Sequence, residues 1–163
     1  MLERLANAVL FQLGWFACVL GGDSLWLLIP VAVLLIHHLW ISRPGQDSRL
    51  ILWVVLLGIA VDSSLRGLGV MEFQHAAALI PLWLIMLWAL LATTLRHCLR
   101  WSARPWWLAS VTGAVGGPLS YYAGGQLAGV QFPMGVWPTL IGFAVLWALL
   151  FPLLHLMARR LPH

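Results

Sequence analysis

The sequence contains no lysine and few charged residues of either sign. Only 9% of its 163 residues are charged, whereas a soluble domain carries roughly 25%. At the same time 62% of the residues are hydrophobic, and the mean hydropathy is +0.93. Such a chain cannot cover a water-facing surface with charge. The composition therefore excludes an ordinary soluble domain and indicates a membrane protein.

Cysteine is scarce as well, and Cys18 and Cys98 form no CxxC or Cys/His spacing typical of a metal site. The sequence also lacks a nucleophile elbow, a phosphate-binding loop and an HExxH motif. Asp62 is the only acidic residue deep in an apolar segment, so a paired-carboxylate mechanism has no second member. We therefore predict no metal and no cofactor, and the sequence favours a protein that is not an enzyme.

Six apolar segments are long enough, or nearly so, for helices that cross about 30 Å of hydrocarbon. They show no period-2 alternation, so we predict an all-α, polytopic membrane protein with a single transmembrane domain over residues 1–163. The first segment resembles a signal peptide, but we expect an uncleaved helix because no clear cleavage site follows it. The predicted helices cover about residues 5–22, 24–41, 50–70, 76–95, 106–124 and 136–157.

The nine arginines indicate an orientation for this bundle. Eight of them fall at the ends or links that share one side if the helices alternate in direction, and only Arg66 falls on the other. Because loop arginines favour the cytoplasmic side, both termini are predicted to be cytoplasmic. The sequence pI of about 10.1 does not indicate nucleic-acid binding, since the arginines lie singly or in small groups between membrane-length runs.

Asp62 is the most informative polar residue, because a carboxylate deep in a membrane helix costs roughly 2.5–3.5 kcal/mol unless it is paired, protonated or hydrated. Arg66 lies one turn later and is a possible ion-pair partner. By helical rise, Ser120 lies at nearly the same depth. We predict a polar cluster in the outer half of the membrane, made of Asp62, Arg66, Ser120, Tyr121 and Tyr122. The Asp62 carboxylate either handles protons or binds a lipid headgroup, or it forms a structural ion pair with Arg66.

Small residues recur along the fifth segment at helical spacing. Gly113, Gly117 and Gly124 lie on this stripe, and Gly113-x-x-x-Gly117 allows close approach of another helix. Pro118 removes a backbone donor and is expected to kink the helix. We therefore interpret these four residues as helix-packing positions.

A second polar cluster is predicted in the inner half of the membrane. Its members are Gln12, His37, His38, Thr93, Thr94 and His97. The histidines are at one depth, but His37 and His38 are adjacent and no carboxylate accompanies them in the sequence. Interfacial histidines that face lipid headgroups are therefore favoured over a metal site, and Gln12 is expected to form hydrogen bonds across a helix interface.

Four stretches together resemble a known family: Phe11–Gly21, the Asp62 segment, Thr93–Trp101 and Gly116–Gly124. The Gly-Gly-Pro-Leu-Ser-Tyr run in the last of them is the most distinctive. The chain is similar over nearly its whole length to the bacterial inner-membrane domain-of-unknown-function family 2878. The resemblance implies a multi-pass protein of the bacterial inner membrane, of a kind often encoded near enzymes that modify membrane fatty acids. It implies no catalytic residues.

These observations leave four functions open. We expect an accessory factor in membrane lipid or fatty-acyl modification, whose partners are membrane lipids and either another protein or a second copy of the chain. The alternatives are a small oligomeric transporter or flippase that uses Asp62, an enzyme acting on lipid at Asp62, Ser120 and Tyr121, and a non-catalytic subunit of a larger membrane complex.

Overall fold

A computed structural model describes residues 2–42, 47–74 and 79–161 of the chain. Arg43 and the first residues of the predicted fourth helix, 76–78, lie outside these ranges. The described residues form six α-helices and no β-strand beyond an isolated bridge between Glu72 and Gln131. The helices are α1 (Leu2–Gly21), α2 (Leu28–Ile36), α3 (Ser48–Gly67), α4 (Leu82–Leu95), α5 (Trp106–Ala128) and α6 (Val136–Arg160).

The second predicted helix is composite rather than a continuous α-helix. A 3₁₀ turn, Leu25–Leu27, begins where the Ser24 side chain accepts a hydrogen bond from the Trp26 amide. After α2 the backbone widens into a π turn, His37–Ile41, closed by a hydrogen bond from the Ser42 amide to the His37 carbonyl. Such π turns are rare in proteins, and those that occur are often found at functional sites.

The fourth predicted helix is also shorter than expected, because α4 begins at Leu82 and not near residue 76. Pro81 precedes its first residue in an extended conformation. The Asp23 carboxylate accepts hydrogen bonds from the amides of Leu82 and Trp83, at 3.1 and 2.8 Å. This carboxylate therefore supplies the cap that the local sequence of α4 lacks.

The other helices differ from the sequence prediction mainly at their ends. Helix α5 continues to Ala128 and ends at Gly129, which adopts a left-handed conformation with φ of 69°. Within the described residues, α1, α3 and α6 are long and apolar enough to cross a membrane, while Leu25–Ile41 and α4 are shorter apolar helical segments.

Contacts between helix ends place α1, α3 and α5 antiparallel to α2, α4 and α6. At one end Asn7 of α1 bonds to the Thr93 carbonyl of α4. Arg96 bonds there to the carbonyl of Ala158 in the last turn of α6 and to that of Leu161 just after it. We call this the basic end, because most described arginines lie there. At the opposite end the Glu72–Gln131 bridge joins the connections that follow α3 and α5.

Helix α4 lies at the centre of the bundle, since nine of its fourteen residues are buried and it packs against α1, α2, α3 and α6. The most extensive contact between two helices is that of α5 with α6. A Cβ atom on Gly113 would lie 2.3 Å from the Trp147 carbonyl oxygen, and one on Gly117 would overlap the Trp147 ring. These two glycines therefore set the distance between α5 and α6.

Candidate functional site

An apolar cavity of about 300 Å³ lies between α1, α4 and α5, with α6 behind it. On α5 its wall extends from Thr112 to Gly125, which is about 20 Å at 1.5 Å per residue. The cavity reaches Ser102 near the basic end and Phe132 near the opposite end. It is therefore a long slot that follows the bundle axis. Its other apolar lining residues include Phe11, Trp15, Met71, Phe73, Trp83, Leu84, Leu87, Leu91, Leu99, Trp101, Val130 and Phe151.

Glycines form the α5 wall of the slot. Gly113 and Gly117 lie against α6, and Gly124 lies against Trp15 and Val19 of α1. Gly116 differs from these because it is exposed and no atom lies within 4 Å of where its Cβ would stand. The slot therefore opens at Gly116 on the surface of the bundle, where a side chain would enter the space. Pro118 is buried within α5, which continues through it.

Asp62 lies behind the wall of this slot and is fully buried. One carboxylate oxygen accepts a hydrogen bond from the Trp88 indole nitrogen at 2.7 Å, and the other accepts one from the Tyr121 hydroxyl at 2.6 Å. Both rings line the slot, whereas Asp62 itself does not. Asp62 of α3 thus fixes two aromatic walls that belong to α4 and α5.

The two rings are also fixed by packing. Gly58 leaves room for the Trp88 ring, because a Cβ there would lie 2.1 Å from it. Trp88 stacks on Trp147, with ring centroids 5.5 Å apart and planes at 14°. Tyr121 packs against Phe143 at 4.5 Å. The central part of the slot is therefore a rigid aromatic surface, and it is held by one carboxylate.

The structure brings together only part of the predicted outer cluster. Arg66 does not pair with Asp62; its guanidinium donates instead to the Leu79 carbonyl at 2.9 Å. Ser120 accepts a hydrogen bond from the Trp15 indole nitrogen at 3.2 Å. Tyr122 is 40% exposed and does not line the slot. Tyr121 is thus the predicted neighbour that contacts Asp62, while Trp88, which the sequence analysis did not identify, is the second.

A different polar group forms at the basic end around Asp47. His37 and His97 approach the same carboxylate oxygen, with Nε2–Oδ2 distances of 3.0 and 2.9 Å. The Arg96 guanidinium contacts the other oxygen at 3.1 Å. The expectation that no carboxylate accompanies these histidines is therefore wrong, because the chain folds Asp47 back onto them from the start of α3. We refer to His37, Asp47 and His97 as the Asp47 cluster.

Asp47 is ionised in this environment. Burial raises the pKa of its carboxyl group, but hydrogen bonds with His37, His97 and Ser42, and the charge of His97, lower it by more. The net result is a pKa well below the usual range of an aspartate. The Asp47 cluster therefore contains a buried anion between two imidazoles and a guanidinium.

The remaining inner-half residues do not join the Asp47 cluster. Gln12 is exposed on α1 and forms no hydrogen bond with the described residues, contrary to the expected interhelical contact. The hydroxyls of Thr93 and Thr94 donate to carbonyls of their own helix. His38 donates to the Leu34 carbonyl and contacts the Ser48 hydroxyl. Of the predicted inner cluster, His37 and His97 thus join Asp47, whereas the other four side chains are exposed or form hydrogen bonds elsewhere.

A buried Ser102–His155 pair was also not identified from the sequence, because its members are 53 positions apart. Their Oγ–Nε2 distance is 3.0 Å. Ser102 lines the end of the slot nearest the basic end, and its hydroxyl donates to the Leu99 carbonyl. Since that proton is engaged with the backbone, His155 donates to Ser102 and does not act on it as a base. The pair therefore anchors the connection before α5 to α6.

One family matches the chain. The family model described as protein of unknown function (DUF2878) matches residues 4–153, which is nearly the whole chain. Comparison with curated proteins gave no match, and comparison with solved structures gave none either.

Proposed function

The chain belongs to the DUF2878 family of proteins of unknown function, and we propose that it is an accessory membrane protein that binds the acyl chain of a membrane lipid in the slot beside Asp62. The observation that carries this proposal is the slot itself, which is about 20 Å long by helical rise and is lined mostly by apolar and aromatic side chains. One leaflet provides about 15 Å of a 30 Å hydrocarbon core, so the slot has room for one acyl chain.

The opening of the slot supports entry from the bilayer. Gly116 is exposed, and it is flanked on α5 by the exposed apolar residues Val115 and Leu119. This part of the bundle surface suits contact with lipid tails rather than water. An acyl chain enters sideways at Gly116 without leaving an apolar environment.

The chemistry of the wall favours holding a lipid over transforming it. Among the described lining residues the hydroxyl groups are those of Ser102, Thr112, Ser120 and Tyr121, and no lining residue is a carboxylate, a histidine or an arginine. The Tyr121 hydroxyl is already engaged by the Asp62 carboxylate, so the wall offers neither a free general acid or base nor an activated nucleophile to a lipid. The protein therefore presents or shields a lipid for the enzyme that modifies it.

The basic end gives the proposal an orientation. Trp101 and Ser102 line the slot there, and Arg100 and Arg104 next to them are exposed. A lipid in the slot places its anionic headgroup beside these two arginines. In the proposed arrangement six segments span the bacterial inner membrane and both termini are cytoplasmic. The basic end then lies at the cytoplasmic face, in accord with the inward bias of loop arginines.

The proposal is tested by blocking the slot. Gly116 lines the slot and a Cβ there meets no atom within 4 Å, so we expect leucine at this position to occupy the mouth of the slot. Gly142→Leu on α6 is the matched control, because its Cβ position is equally open and it does not line the slot. Each protein is purified in mild detergent, and the phospholipid retained per chain is measured by mass spectrometry. We expect about one retained lipid for the wild type and Gly142→Leu, and at least tenfold less for Gly116→Leu. Equal retention by all three would overturn the proposal.

A non-catalytic subunit of a larger complex is the second candidate, and the position of Gln12 favours it. An exposed amide in the middle of a membrane-length helix is better accommodated against protein than against lipid tails. The partner would then cover this face of α1. Cross-linking from a benzophenone residue at position 12 tests this candidate: it predicts a discrete cross-linked protein, and cross-linking to lipid alone would exclude it.

A further inference from the structure

Three possible metal ligands meet at the basic end, outside the slot. His37 comes from the end of α2, Asp47 precedes α3 and His97 follows α4. One possible ligand atom from each of the three residues lies within 4.8 Å of the other two. His37 and Asp47 are buried, and His97 is 20% exposed on its side chain. Three separate segments therefore direct one ligand atom each to a common point.

We propose that the Asp47 cluster binds one divalent transition-metal ion, with zinc as the representative ion. Two imidazoles and a carboxylate are a donor set used for zinc and for iron, and they leave positions open for water. Ligand atoms around tetrahedral zinc are about 3.3 Å apart, given bonds of about 2.0–2.1 Å. The observed separations of 2.9 and 3.0 Å between Oδ2 and the two Nε2 atoms are within a few tenths of an ångström of this value.

The backbone explains why His37 and not His38 belongs to this site. The π turn begins at His37 and directs its side chain inward to Asp47. The neighbouring His38 side chain is directed to Leu34 and Ser48. The adjacent histidines therefore have separate roles, which makes His38 a suitable internal control.

The surroundings are those of a cation site. His97 lies two residues past the last residue of α4, and helix C-termini carry partial negative charge. Arg96 occupies the other oxygen of Asp47 and is itself held by the carbonyls of Ala158 and Leu161. It thereby orients the carboxylate so that Oδ2 alone faces the histidines, as outer-shell partners of metal ligands do. The partial exposure of His97 provides the side from which water and the ion enter.

The test uses the full-length protein in detergent after treatment with a chelator. Cobalt(II) is titrated as a spectroscopic probe, and bound zinc is counted by elemental analysis after dialysis. We expect one equivalent of either ion and a visible absorption band for cobalt. His97→Ala and His37→Ala should bind at least tenfold more weakly, while His38→Ala should bind like the wild type. A wild-type protein that binds no ion, or a loss in His38→Ala equal to that in His97→Ala, would overturn the proposal.

A second measurement does not depend on how well the variants fold. The melting temperature of the wild-type protein should rise with micromolar zinc and stay unchanged with magnesium, because magnesium prefers oxygen ligands. An unchanged melting temperature in zinc means that the cluster is a hydrogen-bonded structural group only, and this contradicts the proposal. Neither result bears on lipid retention in the slot, so the two proposals fail independently.

Discussion

The hydroxyl of Tyr121 on α5 donates a 2.6 Å hydrogen bond to the carboxylate of Asp62 on α3. The two residues are 59 positions apart, and their helices are joined further by Trp88 of α4, which donates to the other oxygen of the same carboxylate. One acidic side chain thus links three helices and fixes two rings of the slot. Asp62 is accordingly a positioning residue.

Replacement of Asp62 should lower stability according to how much of its acceptor capacity is lost. Asp62→Ala leaves the Trp88 and Tyr121 donors unpaired and should cost about 1–3 kcal/mol. Asp62→Asn keeps one acceptor oxygen and should cost less. Thermal unfolding in detergent measures both losses. The melting temperature of the conservative variant Tyr121→Phe should lie between those of the Asp62 variants and that of the wild type. An unchanged melting temperature for Asp62→Ala would exclude this role.

The glycines of α5 should respond oppositely to alanine. Gly113→Ala places a Cβ 2.3 Å from the backbone oxygen of Trp147, which cannot move without shifting α6, so we expect a loss of about 1–3 kcal/mol. Gly116→Ala meets no atom within 4 Å and should be neutral or stabilising by up to about 1 kcal/mol, since alanine favours helix. The difference between their unfolding temperatures is the measurement. If Gly116→Ala destabilised as much as Gly113→Ala, the open slot would be in doubt.

The Asp23 carboxylate should control the first turn of α4. Asp23→Ala removes the acceptor for the Leu82 and Trp83 amides and should cost about 0.5–2 kcal/mol. Hydrogen exchange should accelerate at these two amides while the centre of α4 stays protected. Asp23→Asn is the control, because its side-chain oxygen retains part of the cap. Uniform acceleration along α4 would indicate that the effect is global and not a lost cap.

The proposed orientation makes a separate prediction about membrane topology. Reporter domains that are active only in the cytoplasm should be active at both termini, and a reporter inserted after Gly22 should be inactive. The reason is the inward preference of loop arginines. Replacement of Arg100 and Arg104 by glutamine should weaken the bias without moving the reporter at the amino terminus. Activity at only one terminus would mean an odd number of crossings and would contradict the six-span arrangement.

The sequence predicted the helical segments well where apolar length and helix punctuation agree. Helices α5 and α6 begin at the predicted residues 106 and 136. The start of α4 was predicted too early, because its apolar run extends into a connection whose end is defined by Pro81 and by the distant Asp23. Hydropathy carries no information about a cap that comes from another part of the chain.

The candidate sites likewise were predictable where the signal is local and not where it depends on distant segments. Helical rise predicted that α5 side chains lie near Asp62, and Tyr121 does. The predicted Arg66 partner follows from an i, i+4 rule that holds for isolated helices, but here the Leu79 carbonyl takes the guanidinium. Asp47 lies between the second and third predicted helices, 24–41 and 50–70, and only the fold brings it to His37 and His97. Pairings between distant segments depend on packing, which a single sequence does not specify.

The central claim, that the slot holds an acyl chain, is tested most directly by locating that chain. A phospholipid with a photoactivatable diazirine near the end of one acyl chain is incorporated with the protein into vesicles, and the adducts are mapped by mass spectrometry. We predict adducts on the slot residues Phe11, Leu87 and Leu91, and their loss in Gly116→Leu but not in Gly142→Leu. Adducts confined to exposed residues outside the slot, such as Leu119 and Ile141, would contradict the account.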